Sequence, residues 1–362
     1  MKKIDRYILK KFLSTFFFCI LLLTVIVVVI DISEKTDDFV NSKLSAWRIF
    51  TDYYAAFIPR IDAMLFPLFT FIAVIFFTSK MAERTEVVAI LSSGVSIRRF
   101  LRAYWVGSVL LALILWVTYH TVLPTANAKW SSFESKYVAG NLDYTKSYTG
   151  RNFYFRLDSH SYAGLRYFDT VSRTGSGFFV QKILNNRLVY NLRSDNISWD
   201  TTSKKWKLTG VTERNFDGDK EMIKRSTSLL MQYNFRPRDL RRDDFLKDRM
   251  GTKELDEYIA IQQLRGAESL SELMVERYNR DAIPASIIIL TIIGAVLSSK
   301  KVRGGSGFHL AVGVILSVIY VLFSRLSVVF ATKGNFPPLL AAWVPNIAFG
   351  LLAYYFYRRA AR

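Results

Sequence analysis

The sequence predicts a membrane α-helical fold: six transmembrane helices arranged 3 + 3, with an all-β, jelly-roll-like domain inserted between the halves. Three observations carry this expectation. Long apolar runs recur, basic residues gather beside one set of their ends, and period-two alternation fills the middle of the chain. Phe12–Ile30 contains no charged residue, and about 20 apolar residues cross a bilayer's hydrocarbon core. The run is too long for a signal-peptide apolar region. Charged residues from Asp31 to Asp38 follow it where a cleavage site would stand, so it reads as a retained anchor. Further runs lie at Ile61–Thr78, Tyr104–Val122, Ile283–Ser298, Phe308–Phe330 and Leu339–Tyr357. Pro67 and Pro284 fall in the second and fourth, which membrane helices tolerate when neighbours re-satisfy the freed backbone groups.

Lysines and arginines beside the spans set the orientation. Lys2, Lys3, Arg6, Lys10 and Lys11 precede the first span, and Lys80, Arg84, Arg98, Arg99 and Arg102 separate the second and third. Lys300, Lys301 and Arg303 separate the fourth and fifth, and Arg358, Arg359 and Arg362 follow the sixth. Six crossings place all of these on one side, the cytoplasm. The expectation is therefore a multi-pass protein of a bacterial inner membrane, with cytoplasmic termini and a large periplasmic insert.

That insert alternates as strands do. Phe153, Phe155 and Leu157 alternate with polar neighbours, as do Leu188, Tyr190 and Leu192, and Trp206, Leu208 and Val211 continue the style. Such runs, separated by Asn-, Asp- and Gly-containing turns, predict antiparallel strands in a sandwich, jelly roll or half-open barrel. Asn185-Asn186 and Asp217-Gly218 fit hairpin turns. Lys253–Arg280, rich in Glu, Leu, Ala and Arg, predicts a helix leading into the fourth span. The division is then 1–123 for the first three spans, 124–252 for the β domain, 253–281 for a helical connector and 282–362 for the last three spans. No internal repeat accompanies the 3 + 3 layout.

Several chemistries are set aside. The net charge of +19 would suit nucleic acid, but much of it flanks the spans and no nucleic-acid-binding motif accompanies it. The single cysteine, Cys19, lies in the first span and excludes an intramolecular disulfide framework. His120, His160 and His309 fall in three different regions, against a shared metal site. There is no G-x-x-x-x-G-K-[ST] loop, no H-E-x-x-H and no G-x-S-x-G. Gly304–Gly307 reads as a cytoplasmic turn. No enzyme activity and no cofactor is expected on this chain.

Two features remain as candidates. Residues from Met81 to Gly94 predict a short amphipathic helix, over about 81–93, with Met81, Val87, Val88 and Leu91 on one face and Gly94 as cap. Such a helix either lies on the lipid surface or docks into a cytoplasmic motor, and the pattern fits both. Charges near the spans are the second feature. Arg325 either lines a polar cavity or reaches to the interface, and Arg60 either holds an anionic headgroup or marks the interface. Lys35 and Lys43 stand beside acidic residues that can pair with them.

The sequence resembles the lipopolysaccharide-export permeases LptF and LptG, the YjgP/YjgQ family, over nearly its whole length. The resemblance rests on Ile4-Asp-Arg-Tyr-Ile8, Ile58-Pro-Arg60 and Leu65-Phe-Pro67, on Glu83-Arg-Thr-Glu-Val-Val-Ala-Ile-Leu-Ser-Ser-Gly94, and on Phe336-Pro-Pro-Leu-Leu-Ala-Ala-Trp-Val-Pro-Asn346. The N-terminal segment is closer to LptG than to LptF. What the resemblance implies is the permease subunit of an ABC transporter that extracts lipopolysaccharide and passes it to a periplasmic bridge. Its partners would be an LptB-like ATPase dimer, an LptF-like second permease and an LptC-like periplasmic protein. The resemblance assigns motor coupling to Glu83, Arg84, Glu86, Val87, Leu91 and Gly94. Glu86 matches the family's coupling glutamate. Among the substrate-binding candidates Arg60, Lys35, Lys43 and Arg325, Arg60 matches a basic residue that faces lipid phosphates. One departure stands out: Asp31 occupies a position where the family pattern has lysine, and Asp37 and Asp38 also replace lysines. The other readings are a permease or scaffold for another lipid or lipoprotein. A lipoprotein-release permease would have four spans, and a sensor would carry a cytoplasmic signalling domain.

Overall fold

The computed structural model describes residues 3–138, 150–169, 172–218, 220–240, 246–265, 270–300 and 305–360. Two compact units emerge: Met1–Phe133 with Lys247–Leu255 and Ser271–Arg362, and Glu134–Leu246 with Asp256–Leu270. In chain order the helices longer than four residues are α1 (Lys3–Asn41), α2 (Ala46–Glu83), α3 (Glu86–Ser92), α4 (Ile97–Val138), α5 (Thr252–Arg265), α6 (Leu270–Ser298), α7 (Gly305–Lys333) and α8 (Pro338–Ala360). All but α3 and α5 are long and apolar enough to cross a membrane. With the sheet described below they make a membrane helical protein with an inserted β domain.

The helices outrun the apolar stretches that predict them. α1 has 39 residues and spans roughly 58 Å at 1.5 Å per residue, against a hydrocarbon core of about 30 Å. Its ends therefore stand clear of the hydrocarbon, where charges are solvated. α2 and α4 are extended through π-helical turns at Phe50–Tyr54 and Thr118–Val122. The stretch 253–280 is divided between α5 and the first turns of α6, with 266–269 outside the described residues. Of the expected glycine turn, Gly305–Gly307 instead open α7, and 301–304 lie outside the described residues.

In their most apolar stretches α2 and α6 are 61% and 67% buried, against 6% for α1 and 17% for α7. The first pair forms the centre of the helical unit. Membrane helices associate through close packing rather than water exclusion, and glycine permits it here. A Cβ on Gly107 of α4 would lie 2.7 Å from Phe12 Cδ1 of α1, so the ring seats directly on the backbone. Gly313 of α7 receives Ile75 of α2 in the same way.

Polar groups inside this unit pair across helices. Pro345 supplies no N–H to the carbonyl four residues earlier, Ala341, and Ser327 Oγ of α7 donates to that carbonyl at 2.8 Å. The next residue, Asn346, donates to the Ala282 carbonyl at 2.6 Å and accepts from Tyr320 at 2.9 Å, tying α8 to α6 and α7. Thr78 and Tyr104 share a buried hydroxyl contact of 2.8 Å. Arg280, 2% exposed, donates to the carbonyls of Lys247 and Met250 at 3.0 Å, to Thr252 Oγ1 at 3.2 Å and to Glu276 at 3.4 Å. It thereby fastens the 247–252 segment onto α6.

The second unit holds one antiparallel sheet in the order β1 to β6. The strands are β1 (Gly150–Arg156), β2 (Ser161–Asp169), β3 (Thr174–Leu184), β4 (Arg187–Asp200), β5 (Lys205–Asp217) and β6 (Lys220–Met231). Asn185 and Asn186 both take positive φ, 49° and 64°, as a two-residue primed hairpin turn demands. Gly218, φ 60°, follows Asp217 at the expected β5–β6 turn.

Apolar burial changes phase along one row of this sheet. Inward residues are Ala163 and Leu165, then Phe168, on β2; Phe178 and Val180, but Gly175, on β3; Leu192, then Ile197, on β4; and Val211, but Leu208 and Trp206, on β5. Strict alternation would put one of each set on the outer face. The phase changes where Gly177 and Gly210 adopt φ of 67° and 66°. There the Arg166 side chain covers Gly177 and the Asp195 carboxylate covers Gly210. A row of re-aimed residues thus creases the sheet and keeps both halves of each strand on one core. After β6 the chain crosses that core. Trp206 Nε1 donates to the Phe235 carbonyl at 2.9 Å, Phe235 packs on Phe155 at 4.6 Å, and Asn234 donates to the Leu157 carbonyl at 2.6 Å. The two edges of the meander are pinned together, which gives the insert its jelly-roll-like, half-closed form.

Two substitutions test these supports. Ser327→Ala should lower thermal stability in detergent by about 0.6–1.7 kcal/mol; an unchanged melting temperature would remove the assigned role at Pro345. Gly210→Ala forces a side chain onto Asp195 and a left-handed backbone, and should destabilise the inserted domain by roughly 1–3 kcal/mol. Limited proteolysis of the full chain reads this, and wild-type resistance would contradict the crease.

Candidate functional site

The candidate residues fall at opposite ends of the helical unit. At one end α2 stops at Glu83 and α3 begins at Glu86. The expected single helix over 81–93 is divided, because Thr85 takes a left-handed conformation, φ 61° and ψ 7°, which a β-branched residue adopts only under constraint. Met81 therefore belongs to α2, not to the amphipathic helix. Val88 also leaves the face it was expected to share with Val87 and Leu91: it is 50% exposed, while Val87 is 1% exposed and Ile90 and Leu91 pack against the same core. Glu83 and Arg84 are exposed, Glu86 is half-buried, and Gly94 closes α3 at φ 85° with its N–H on the Leu91 carbonyl. Glu86 Oε2 accepts from the Tyr7 hydroxyl at 3.2 Å, linking α3 to α1.

At the far end of α1, Asp31 is 7% exposed. It accepts from Tyr53 and Tyr54 at 3.1 and 3.0 Å, both on the π-helical turn of α2. Lys35 Nζ donates to Tyr53 at 2.6 Å and stands 3.6 Å from Asp31. Asp31 is thus the acceptor of a knot joining α1 to α2, and Lys35 is drawn into that knot. Lys43 lies apart, exposed in the turn after α1 at φ 54°.

Arg60 and Arg325 do come together, on the wall of one cavity of about 880 Å³. α2, α4, α6, α7 and α8 line it, mostly with apolar side chains such as Met64, Leu68, Ile283, Val321 and Leu322. Its polar groups include Arg60, Tyr119, Asn127, Asp248, Glu276, Asn279, Arg280, Ser317, Tyr320, Ser324 and Arg325. Most cluster toward the end of the helices where the chain leaves at 133 and returns at 247. Arg60 stacks on Trp130, its guanidinium carbon 3.7 Å from the ring centroid, a contact of about 0.5–2 kcal/mol. Burial raises the Asp248 carboxyl above the usual range.

The sequence matches the family described as lipopolysaccharide export system permease LptF/LptG over residues 6–359. The chain belongs to the LptF/LptG family. It is a permease of lipopolysaccharide export and a multi-pass inner-membrane protein, not an enzyme. No curated protein matches the chain. The match covers LptF and LptG together and does not separate them. In this permease the Pro345-Asn346 pair of the C-terminal family segment serves packing, through Ser327, Ala282 and Tyr320.

Several residues of these sites escaped the sequence reading. Asp62 accepts from Thr24 of α1 at 2.6 Å inside the second span. An acidic residue within an apolar run was a visible signal for it. Asn127, Trp130 and Asp248 carried none, because nothing local marks them as neighbours of Arg60. The knot at Asp31 has a direct test. Lys35→Gln should cost roughly 1–3 kcal/mol of stability by leaving a buried acceptor without its cation, whereas Lys43→Gln should change stability by less than about 0.5 kcal/mol. Equal thermal shifts for the two variants would contradict the assignment.

Proposed function

We propose that this chain is the LptG-like permease subunit of an ABC transporter that lifts lipopolysaccharide out of the inner membrane and hands it to a periplasmic bridge. The family match over residues 6–359 carries the reading. ATP hydrolysis is assigned to a separate LptB-like dimer, which docks at α3 and the turn before it through Glu83, Arg84 and Glu86, ahead of Gly94, while Val87 and Leu91 pass the motion into the helical core. The chain itself needs no cofactor. Both termini and α3 lie in the cytoplasm, on the side where lysine and arginine concentrate beside the spans. The inserted β domain lies in the periplasm and extends toward an LptC-like partner, while an LptF-like permease completes the membrane path.

Acyl chains gain little on moving from bilayer to an apolar cavity, since both are hydrocarbon. Selective holding therefore falls to the headgroup, and charge-assisted contacts to phosphate are the strong ones available. Arg60 and Arg325 supply them. Motion of α3, driven by closure of the motor, shifts the helices that line the cavity and expels what it holds. Lys35 and Lys43 play a lesser part, Lys35 being engaged with Asp31 and Tyr53.

The test is at Glu86. Glu86→Ala removes a charged acceptor, a loss of about 1.5–3 kcal/mol, so motor recovery in a mild-detergent pull-down should fall roughly tenfold or more. Insertion should stay at the wild-type level, and thermal stability should fall by no more than about 1.5 kcal/mol through loss of the exposed Tyr7 contact. Full motor recovery together with normal export would sink the coupling assignment.

A further inference from the structure

Besides Arg60, α2 carries a second ionisable group into the membrane, and neither the cavity nor the motor face uses it. Asp62 stands two positions after Arg60, roughly 200° around the helix, so it faces away from the cavity that Arg60, Ile61, Met64, Leu65 and Leu68 line. It meets Thr24 of α1 instead. Thr24 precedes Asp31 by about 10 Å of helix, which puts the contact inside the hydrocarbon and short of the Asp31 knot. Asp62 is half-buried there. Among the described residues no charged group acts on it. The facing helix, α1, carries none between Lys11 and Asp31, and α2 carries none between Asp62 and Lys80. An ionised carboxylate at such a place, without a cation, is costly.

Thr24 has one hydroxyl proton and two acceptors to serve. Its Oγ1 lies 2.7 Å from the Ile20 carbonyl oxygen and 2.6 Å from Asp62 Oδ1, each the length of a full O–H···O bond. The carbonyl has no proton to offer. With Asp62 ionised, two short contacts would share a single proton. With Asp62 protonated, each contact has its own: the acid donates to Thr24 Oγ1, and Thr24 donates to the Ile20 carbonyl. The Thr24–Asp62 bond then runs from acid to hydroxyl, the reverse of the direction an ionised carboxylate requires.

We infer that Asp62 is a proton-binding site within the membrane and that its proton fastens α1 to α2. In its most apolar stretch α1 is only 6% buried, so few contacts hold it. Those between helices include Tyr7 with Glu86 at one end, Asp31 with Tyr53 and Tyr54 at the other, and Thr24 with Asp62 between them. Release of the proton leaves a bare carboxylate in hydrocarbon and frees the middle of α1 while both ends stay tied. The site is independent of the lipid that the cavity takes.

Infrared spectra of the full chain in phospholipid nanodiscs test this, with Asp62→Asn and Thr24→Val alongside. At neutral pH the wild-type-minus-D62N spectrum should show the carbonyl stretch of a protonated carboxyl, and T24V should shift that band by removing its hydrogen-bond partner. A difference made of carboxylate stretches alone overturns the inference. Asparagine keeps one donor and one acceptor facing Thr24, so D62N should melt within about 2 °C of wild type at neutral pH. The proton's contribution to stability is present at low pH and lost as pH rises. The wild-type melting temperature should therefore fall with rising pH relative to that of D62N, and parallel curves overturn the role in the α1–α2 seam. Should D62N fail to fold, dicyclohexylcarbodiimide on the wild type decides. This reagent partitions into hydrocarbon and adds to a protonated carboxyl, whose oxygen bonds the central carbon while the proton passes to nitrogen, and nothing leaves. Modification mapped to Asp62 by mass spectrometry supports the site, and an unmodified Asp62 overturns it.

Discussion

Hydrocarbon supplies neither donors nor acceptors, so each polar group that the helical unit carries into it must find a partner in the protein or cost several kcal/mol. Much of the packing follows from that constraint. Pro345 frees the Ala341 carbonyl, and Ser327 of the neighbouring helix answers it. Asn346 finds an acceptor at Ala282 and a donor at Tyr320, so one amide orients three helices. Thr24 meets Asp62 and Thr78 meets Tyr104 in the same manner. Arg280 uses several donors at once to hold the segment 247–252. The glycines at 107 and 313 bring backbones close enough for such pairs to form.

The same constraint shows where pairing is incomplete. Asn127 Oδ1 is buried without a donor, and it lines the cavity that also holds Arg60 and Arg325. Thr291 Oγ1 in α6 is likewise buried without a partner.

The sequence disclosed what depends on local pattern. Phe12–Ile30 announced a span because charge is absent along it, and Asn185-Asn186 announced a turn because two adjacent left-handed residues favour asparagine. Helix length was less legible, since α1 continues through Asp31 and Lys35, residues that read as the end of a span until Tyr53 and Tyr54 are seen around them. The crease in the sheet was invisible. Gly177 and Gly210 look like any other glycines, and only the registry of three strands aligns them. Arg60 and Arg325 could each be named, but their common cavity is made by five helices far apart in sequence, and Asp248 joins it from a segment that returns after the whole insert. The Met81–Gly94 segment was recognised as amphipathic, yet its break at Thr85 has no local signature, threonine being a poor candidate for a left-handed position.

That break has a mechanical consequence. The hydrogen-bond ladder of α2 ends with Arg84 on Lys80 and Thr85 on Ala82, and a new ladder opens with Ala89 on Thr85. No intrahelical bond runs through both helices, so torque on α3 is not carried along the backbone into α2. Force must pass sideways instead, through Val87, Ile90 and Leu91 against the core and through the Glu86–Tyr7 contact onto α1. A joint of this kind transmits a push but not a twist. Force applied to α3 would then displace the bundle laterally while the axial rotation of α2, and with it the direction in which Arg60 points, stays fixed.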